Sequence, residues 1–258
     1  MDSGVDGTAD PLGRAMLASL HDELGTLRYR DGADTRDGCV EEYYFSPPSA
    51  WSAEQVAVLE CLAALDGPIL DVGCGAGQHA LWLARRGANV IGIDVSPNAV
   101  RAARERGLDD AHVVDMFALE SAFDSGRFRA VQVLGTQIGL AGSLAGVREL
   151  LAAFARVTDR AGVAVVHNYD PAAVDEELLG YRPDPRNGIA HRCFHVEYES
   201  DGALEVGRTL HFLLFDADRL VDATIGTPWT VDEVVSMPDG TYQAVLTKSG
   251  SDCLSRRA

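Results

Sequence analysis

Between residues 52 and 170 short apolar runs alternate with stretches whose apolar positions recur every three or four residues. Ser52 to Leu65 places Val56, Leu59, Leu62 and Leu65 on one helical face; Ser52 can cap that helix, and Gln55 holds the capping-box position. Ile69 to Val72 then predicts a strand, Gln78 to Arg86 a helix, Asn89 to Asp94 a strand, and Pro97 to Arg106 a helix capped by Ser96. His112 to Val114 and Ala130 to Leu134 read as further strands, Leu144 to Val157 as a long helix, and Val163 to His167 as a fifth strand. Such regular alternation implies right-handed βαβ units, hence an α/β domain whose parallel sheet is covered by helices on both faces.

The last third changes period. Arg192 to Glu199 alternates, with Phe194, Val196 and Tyr198 on one face, and Asp201-Gly202 supplies a two-residue turn into a strand over Glu205 to Phe215. Asp218 to Ala223 looks helical, while Trp229 to Met237 and Tyr242 to Lys248 flank Pro238-Asp239-Gly240, a second hairpin signal. The expected sheet is seven-stranded and mostly parallel, closing in a C-terminal antiparallel β-hairpin. Residues 1–50 are polar and irregular apart from a short helix around Leu12 to Leu24, and are expected to form an N-terminal extension or lid. Residues 51–258 form the main domain, with a β-hairpin insertion at about 191–215.

Composition narrows the function. With 22 Lys+Arg against 39 Asp+Glu the formal net charge is −17, so the basic footprint that nucleic-acid binding needs is missing. Hydrophobic residues make up 47%, enough for a full core, but no run of about 18 apolar residues marks a membrane span. The first segment, MDSGVDGTADPLGR, is acidic and has no apolar signal-peptide region. Cys39, Cys61, Cys74, Cys193 and Cys253 make no C-x-x-C pair, which fits a reducing compartment; a cytoplasmic protein is expected. Lys248 is the one lysine. An acidic, lysine-poor surface suits a halophilic, salt-screened setting, the alternative being arginine enrichment by codon bias in a GC-rich genome.

The most informative stretch is Asp71-Val72-Gly73-Cys74-Gly75-Ala76-Gly77, at the end of a strand and the start of a helix. Glycines there let the chain turn sharply and let a ligand approach the backbone. Asp94 ends the next strand, at the distance where an acid meets a ribose diol. These features suit a dinucleotide or S-adenosylmethionine, and Gly75-x-Gly77-x-x-Ala80 satisfies the loose dinucleotide pattern. Asp71 favours the second. A carboxylate is repelled by a pyrophosphate, but beside an ammonium or sulfonium it gains roughly 4 kcal/mol at about 4 Å and an effective dielectric of 20. No G-K-[ST] follows, which excludes a P-loop.

On these residues the chain resembles the class I S-adenosylmethionine-dependent methyltransferases, a Rossmann-like family. Asp71 to Gly77 is similar to the family's first motif and Ile91-Gly92-Ile93-Asp94-Val95-Ser96 to its ribose-binding strand end. The resemblance implies that Asp71, Gly73, Cys74, Gly75 and Gly77 shape the methionine pocket and that Asp94 and Val95 meet the ribose. It further implies that Asp115 and Met116 flank the adenine, and that Leu134, Gly135, Thr136 and Gln137 line the methionine end. The alternatives are a structural glycine turn, an NAD-dependent oxidoreductase, or an adenosyl-ligand-binding protein without turnover.

Methyl transfer is an in-line displacement that needs a base only if the acceptor arrives protonated. His167, just past the fifth strand, is the candidate base, against the plainer reading of His167-Asn168-Tyr169-Asp170 as a polar strand end. His79 reads as a helix N-terminus residue. Tyr44 and Trp51, with Tyr43 and Phe45, are candidate lid residues or ordinary packing, and Thr136, Gln137 and Asn168 are expected beside the acceptor. His191, Cys193 and His195 share a strand face with Glu197 and Glu199; a solvated hairpin face is expected, and no metal. Arg101, Arg104 and Arg106 crowd a helix end, where cations offset the macrodipole. The expected acceptor is a small molecule, without nucleic-acid or membrane partner, and no oligomeric state follows from the sequence.

Overall fold

The N-terminal region holds more regular structure than its polar composition suggests. The computed structural model describes residues 9–23, 25–175 and 177–248. Asp10 caps α1 (Pro11–Leu20) by accepting from the Gly13 amide, with Pro11 preset for the first turn. Leu24, the expected end of this helix, lies outside the described residues. Thr26–Asp31 (β1) and Asp34–Asp37 (β2) pair as an antiparallel hairpin, correcting the expectation of irregular chain. Sequence reading missed it because β2 is exposed throughout and charges hide the alternation of Leu27 and Tyr29. A short helix, α2 (Val40–Tyr44), follows.

The α/β part begins with α3 (Ala53–Ala63), capped by Ser52 through the Gln55 amide. It continues β3 (Ile69–Val72), α4 (Gln78–Ala84), β4 (Val90–Asp94), α5 (Pro97–Glu105), β5 (Ala111–Val113), α6 (Leu119–Ala122), β6 (Phe128–Val133), α7 (Leu144–Val157) and β7 (Thr158–Tyr169). β7 starts earlier than expected. Phe128 faces Thr158 while Ala130 faces Val163, so residues 159–162 bulge out of register.

The chain then forms β8 (Tyr181–Pro183), β9 (Ile189–Ser200), β10 (Ala203–Val206), β11 (Leu210–Phe215), α8 (Ala217–Thr224), β12 (Trp229–Ser236) and β13 (Thr241–Lys248). Asp201 and Gly202 both take positive φ, 51° and 73°, as a tight hairpin turn requires. The strand expected over Glu205 to Phe215 is instead two. β10 pairs with the second half of β9 and β11 with the first, and Gly207 at the break runs against Pro11.

Two sheets result. The larger has seven strands in the order β12-β13-β7-β6-β3-β4-β5, parallel from β7 to β5, with β13 and β12 as the antiparallel edge. This is the expected Rossmann-like fold. Leu70, Val72, Ile91, Val131 and Val133 pack one face against Val147, Leu151 and Phe154 of α7. Ile69, Val90, Ala130, Val163 and Val165 pack the other against α3, α4 and α5. The second sheet is antiparallel and six-stranded, ordered β10-β9-β1-β2 with β11 and β8 also on β9. Its inner face, with Leu27, Ala190, Phe194, Val196 and Phe212, packs with Ala15 of α1, and Tyr44 and Tyr169 border this cluster. It thereby covers the carboxyl end of β7. No helix among the described residues is long and apolar enough to cross a membrane.

Candidate functional site

Strand order reverses between β3 and β6, and such a switch point opens a crevice beyond the carboxyl ends of the strands. The glycine turn lies there. Gly73, Gly75 and Gly77 take φ of 71°, 54° and 79°, a region closed to most side chains. Gly73 and Gly77 are also crowded, while Gly75 has neighbours at ordinary contact distance. A Cβ on Gly73 would stand 3.0 Å from Gln137, on Gly77 3.2 Å from Ala103, and on Gly75 3.5 Å from Met16 and 3.8 Å from Tyr44. Gln137, Met16 and Tyr44 therefore roof the turn, the last two from the N-terminal segment.

Asp94 accepts from the Gly75 amide through Oδ2 and from the Ser96 amide through Oδ1, both at 2.9 Å. One carboxylate thus ties the glycine turn to the start of α5 and keeps further lone pairs for a ligand. Burial raises its pKa, and these amides partly offset the rise. Behind it Asp10 accepts from Ser96 Oγ at 2.6 Å and Asn98 Nδ2 at 2.9 Å, docking α1 on α5. Asp10 and Met16 gave no signal in the sequence because their roles depend on this docking.

Asp71 is 2% exposed, and burial raises its pKa to about 7; the nearby Gln132 amide and Ala80 backbone pull it down and Asp94 pushes it up. Its Oδ2 has no hydrogen-bond partner, and neither has either end of the Gln132 amide directly across the strand pair. A buried acceptor without a donor is costly, and a cationic donor in the crevice would answer it.

His167 stands at the carboxyl end of β7, where its Nδ1 accepts from the Thr136 amide at 3.1 Å. Burial lowers its pKa to about 4, so the ring is neutral at pH 7 and a weak proton acceptor. Its visible work is positional. Thr136 holds φ of 60°, a conformation costing a β-branched residue about 1–3 kcal/mol, and the His167 bond secures it beside Gly135 at φ 62°. His79 is neutral for the same reason, lowered to about 4 by burial and by His167; it meets Gln55 at 3.0 Å and the Trp51 ring at 4.9 Å.

The remaining expected residues divide. Cys74 is buried, its thiol pushed well up by burial, and it packs toward Gly92. Leu134 is buried behind the crevice, while Val95 is 61% exposed beside Asp94. Asp115 caps the turn at Met116 by accepting from the Phe117 amide, and Phe117, unremarked in the sequence, is a further exposed apolar side chain there. Two residues stand apart from the glycine turn. Trp51 donates to Ser46 and packs on His79 and Trp82 of α4. Asn168 is fully buried and donates to the Leu213 carbonyl at 3.1 Å, fastening β7 to β11.

His191, Cys193 and His195 do not converge. His191 bonds Asp184 and His211, whereas His195 bonds Glu197, itself paired with Arg30. Among the described residues no group of three His, Cys, Asp or Glu is placed to hold a metal. Arg101 pairs with Glu105, Arg104 donates to the Ala111 carbonyl, and Arg106 donates to the Ala76 carbonyl inside the glycine turn. A polar groove of about 720 Å³ between α1, α5 and the β9–β10 turn has its cations Arg14 and Arg101 already paired, with Glu205 and Glu105.

Residues 69–162 match the family described as a methyltransferase domain. A ubiquinone biosynthesis O-methyltransferase of Alkalilimnicola ehrlichii is 53% identical over 53 residues, 20% of this chain and 22% of that protein. A ribosomal RNA small subunit methyltransferase C of Alcanivorax borkumensis is 54% identical over 39 residues, 15% of this chain and 12% of that protein. The chain thus spans less than a quarter of the length of these two relatives. A SAM-dependent methyltransferase of Bacteroides fragilis, solved with S-adenosyl-L-homocysteine, shares the fold with a TM-score of 0.75 at 23% identity, over 93% of this chain and 95% of that one.

Proposed function

We propose that this chain, which carries a class I S-adenosylmethionine-dependent methyltransferase domain, transfers a methyl group from S-adenosylmethionine to a small-molecule acceptor. The observation that carries the reading is the unpartnered, buried Asp71 Oδ2 behind a glycine turn at the switch point of the sheet. A carboxylate in that place suits a cationic ligand and repels a diphosphate. The two named relatives differ in acceptor, and a net charge of −17 favours the small molecule over RNA.

When bound, S-adenosylmethionine supplies a methyl group on a cationic sulfur, open to displacement by a nucleophile in line. In this reading Asp71 balances positive charge at the methionine end, with Gly73, Gly75 and Gly77 allowing close approach of the backbone. Asp94 accepts from the ribose hydroxyls with the lone pairs its amide bonds leave free, and Val95, Asp115, Met116 and the exposed Phe117 border the adenine. Gln137, Met16 and Tyr44 exclude water from above the turn. His167 acts as a positioning residue that fixes Thr136 at the rim, rather than as a base.

Calorimetric titration in molar KCl with S-adenosylmethionine, S-adenosylhomocysteine and NAD tests the cofactor. Both sulfur ligands are expected to bind and NAD to be ignored; the opposite pattern would make the chain a nicotinamide enzyme. Asp94→Ala should weaken S-adenosylhomocysteine by about 1.5–3 kcal/mol, the worth of a charged hydrogen bond, and an unchanged affinity removes the ribose assignment. Incubation of methyl-labelled donor with a metabolite extract should label a small product; binding without transfer points to a protein that holds the ligand without turnover.

A further inference from the structure

The inward face of β9 runs Ala190, Arg192, Phe194, Val196, Tyr198, and four of these five side chains are buried and part of the apolar cluster beneath the antiparallel sheet. Arg192 alone interrupts that face with a charge. Its neighbours across the sheet are Tyr181 on β8 and Phe212 on β11, so neither adjacent strand offers it an acid. Its Nε donates to the Leu179 carbonyl at 3.0 Å, and its guanidinium lies 4.5 Å from the Phe194 ring centre and 5.9 Å from that of Tyr169. No carboxylate among the described residues forms an ion pair with it. Arginines nearby on the same sheet do have acids: Arg30 holds Glu197, and Arg182 holds Asp31.

The place of this cation matters. Tyr169 ends β7 at the carboxyl edge of the main sheet, and Tyr44 touches both the glycine turn and, through a 3.0 Å hydroxyl contact, Tyr29. Burial raises the pKa of Tyr29, Tyr43, Tyr44 and Tyr169, and the charge of Arg192 acts on all four in the opposite direction. Tyr169 and Tyr44 therefore place the guanidinium beside the crevice, among aromatic rings, and among the described residues four of its five N–H donors meet no protein oxygen.

We propose that Arg192 is the anchor for the methyl acceptor and that the acceptor is a small aromatic molecule bearing one carboxylate. The planar guanidinium suits a carboxylate held by two parallel hydrogen bonds, and the tyrosine and phenylalanine rings suit a flat apolar body. One cation matches one negative charge. A phosphate dianion would carry a second negative charge into a crevice that already holds Asp71 and Asp94. The proposal rests on the methyltransferase reading above and adds to it the class of acceptor.

The test uses the full chain saturated with S-adenosylhomocysteine and four matched pairs of probes: benzoate, 4-hydroxybenzoate, phenylacetate and indole-3-acetate, each against its carboxamide. Calorimetric titration is expected to show at least one acid binding roughly 10- to 100-fold tighter than its amide, the effect of a charge-assisted bond. Arg192→Gln should abolish that preference while leaving S-adenosylhomocysteine affinity and the thermal midpoint close to wild type, and Arg192→Lys should restore part of it. Phenyl phosphate, run alongside, should bind no better than the amides. Equal binding of acids and amides, a preference that survives in Arg192→Gln, binding of phenyl phosphate above all acids, or no binding of any probe overturns the proposal. Failure of the unsubstituted protein to bind S-adenosylhomocysteine at all is a different result, and it would remove the methyltransferase reading instead.

Discussion

Asp71 is buried and His167 half-buried near the carboxyl edge of one sheet, and desolvation moves their proton equilibria in opposite directions. The acid is raised to about 7 and the histidine lowered to about 4, so each is held toward its neutral form. For Asp71 this links ligand binding to pH. A cation in the crevice favours the carboxylate, so below pH 7 binding has to displace a proton and affinity falls by up to tenfold per pH unit. Calorimetry of S-adenosylmethionine at pH 6, repeated in buffers of different ionisation enthalpy, should show release of close to one proton, declining toward none at pH 8.5. Asp71→Asn should remove the release and weaken binding most at high pH. A release unchanged in that variant would place the linked proton elsewhere. The folded chain alone shows the complementary sign: a carboxyl with a raised pKa favours folding most below its unfolded value near 3.9, and that contribution is lost as pH rises to about 7.

Among elements, the α/β alternation from α3 to β7 was readable because each segment buries one face or both, so its apolar period survives in the sequence. The glycine turn and Asp94 were readable because backbone geometry and charge act locally there. The β1–β2 hairpin was not, since β2 buries nothing and β1 gains its meaning only by pairing with β9, some 170 residues later. Arg192 escaped for the same reason: an arginine within a strand carries no message until β8 and β11 surround it. The docking of α1 depends equally on distant chain, with Asp10 serving both as its cap and as acceptor for Ser96 and Asn98 at the head of α5. Asp10→Ala should therefore cost more than an isolated cap. We expect about 2 kcal/mol or more by urea unfolding, against about 1 for a cap alone, together with faster hydrogen exchange in α1 and weaker S-adenosylhomocysteine binding as Met16 loosens over Gly75. A loss of stability with unchanged affinity would show that α1 supports the fold without roofing the site.

At the scale of the whole molecule, the charge of −17 is spread over a surface whose ion pairs are mostly exposed and individually weak. The single lysine is not on that surface: Lys248 is 8% exposed and donates to the carbonyls of Ala155, Thr158 and Asp159, closing the end of α7. Cations are thus drawn into local structural bonds while unpaired acids remain outside, and the folded chain repels itself more than its unfolded form, where the same charges lie further apart. Screening should relieve this. The distance over which charges act falls from about 8 Å at 0.15 M salt to about 3 Å at 1 M. The urea midpoint should therefore climb steadily between 0.1 and 2 M KCl, by an amount worth about 1 kcal/mol or more, while sucrose at equal osmolality yields a smaller rise. Screening and general exclusion from the surface are separated by reversing several of the exposed acids to lysine, which should flatten the KCl dependence without altering the sucrose response. A midpoint indifferent to KCl would mean that the arginine-rich, lysine-poor composition reflects codon usage and that the acidic surface is no adaptation to salt.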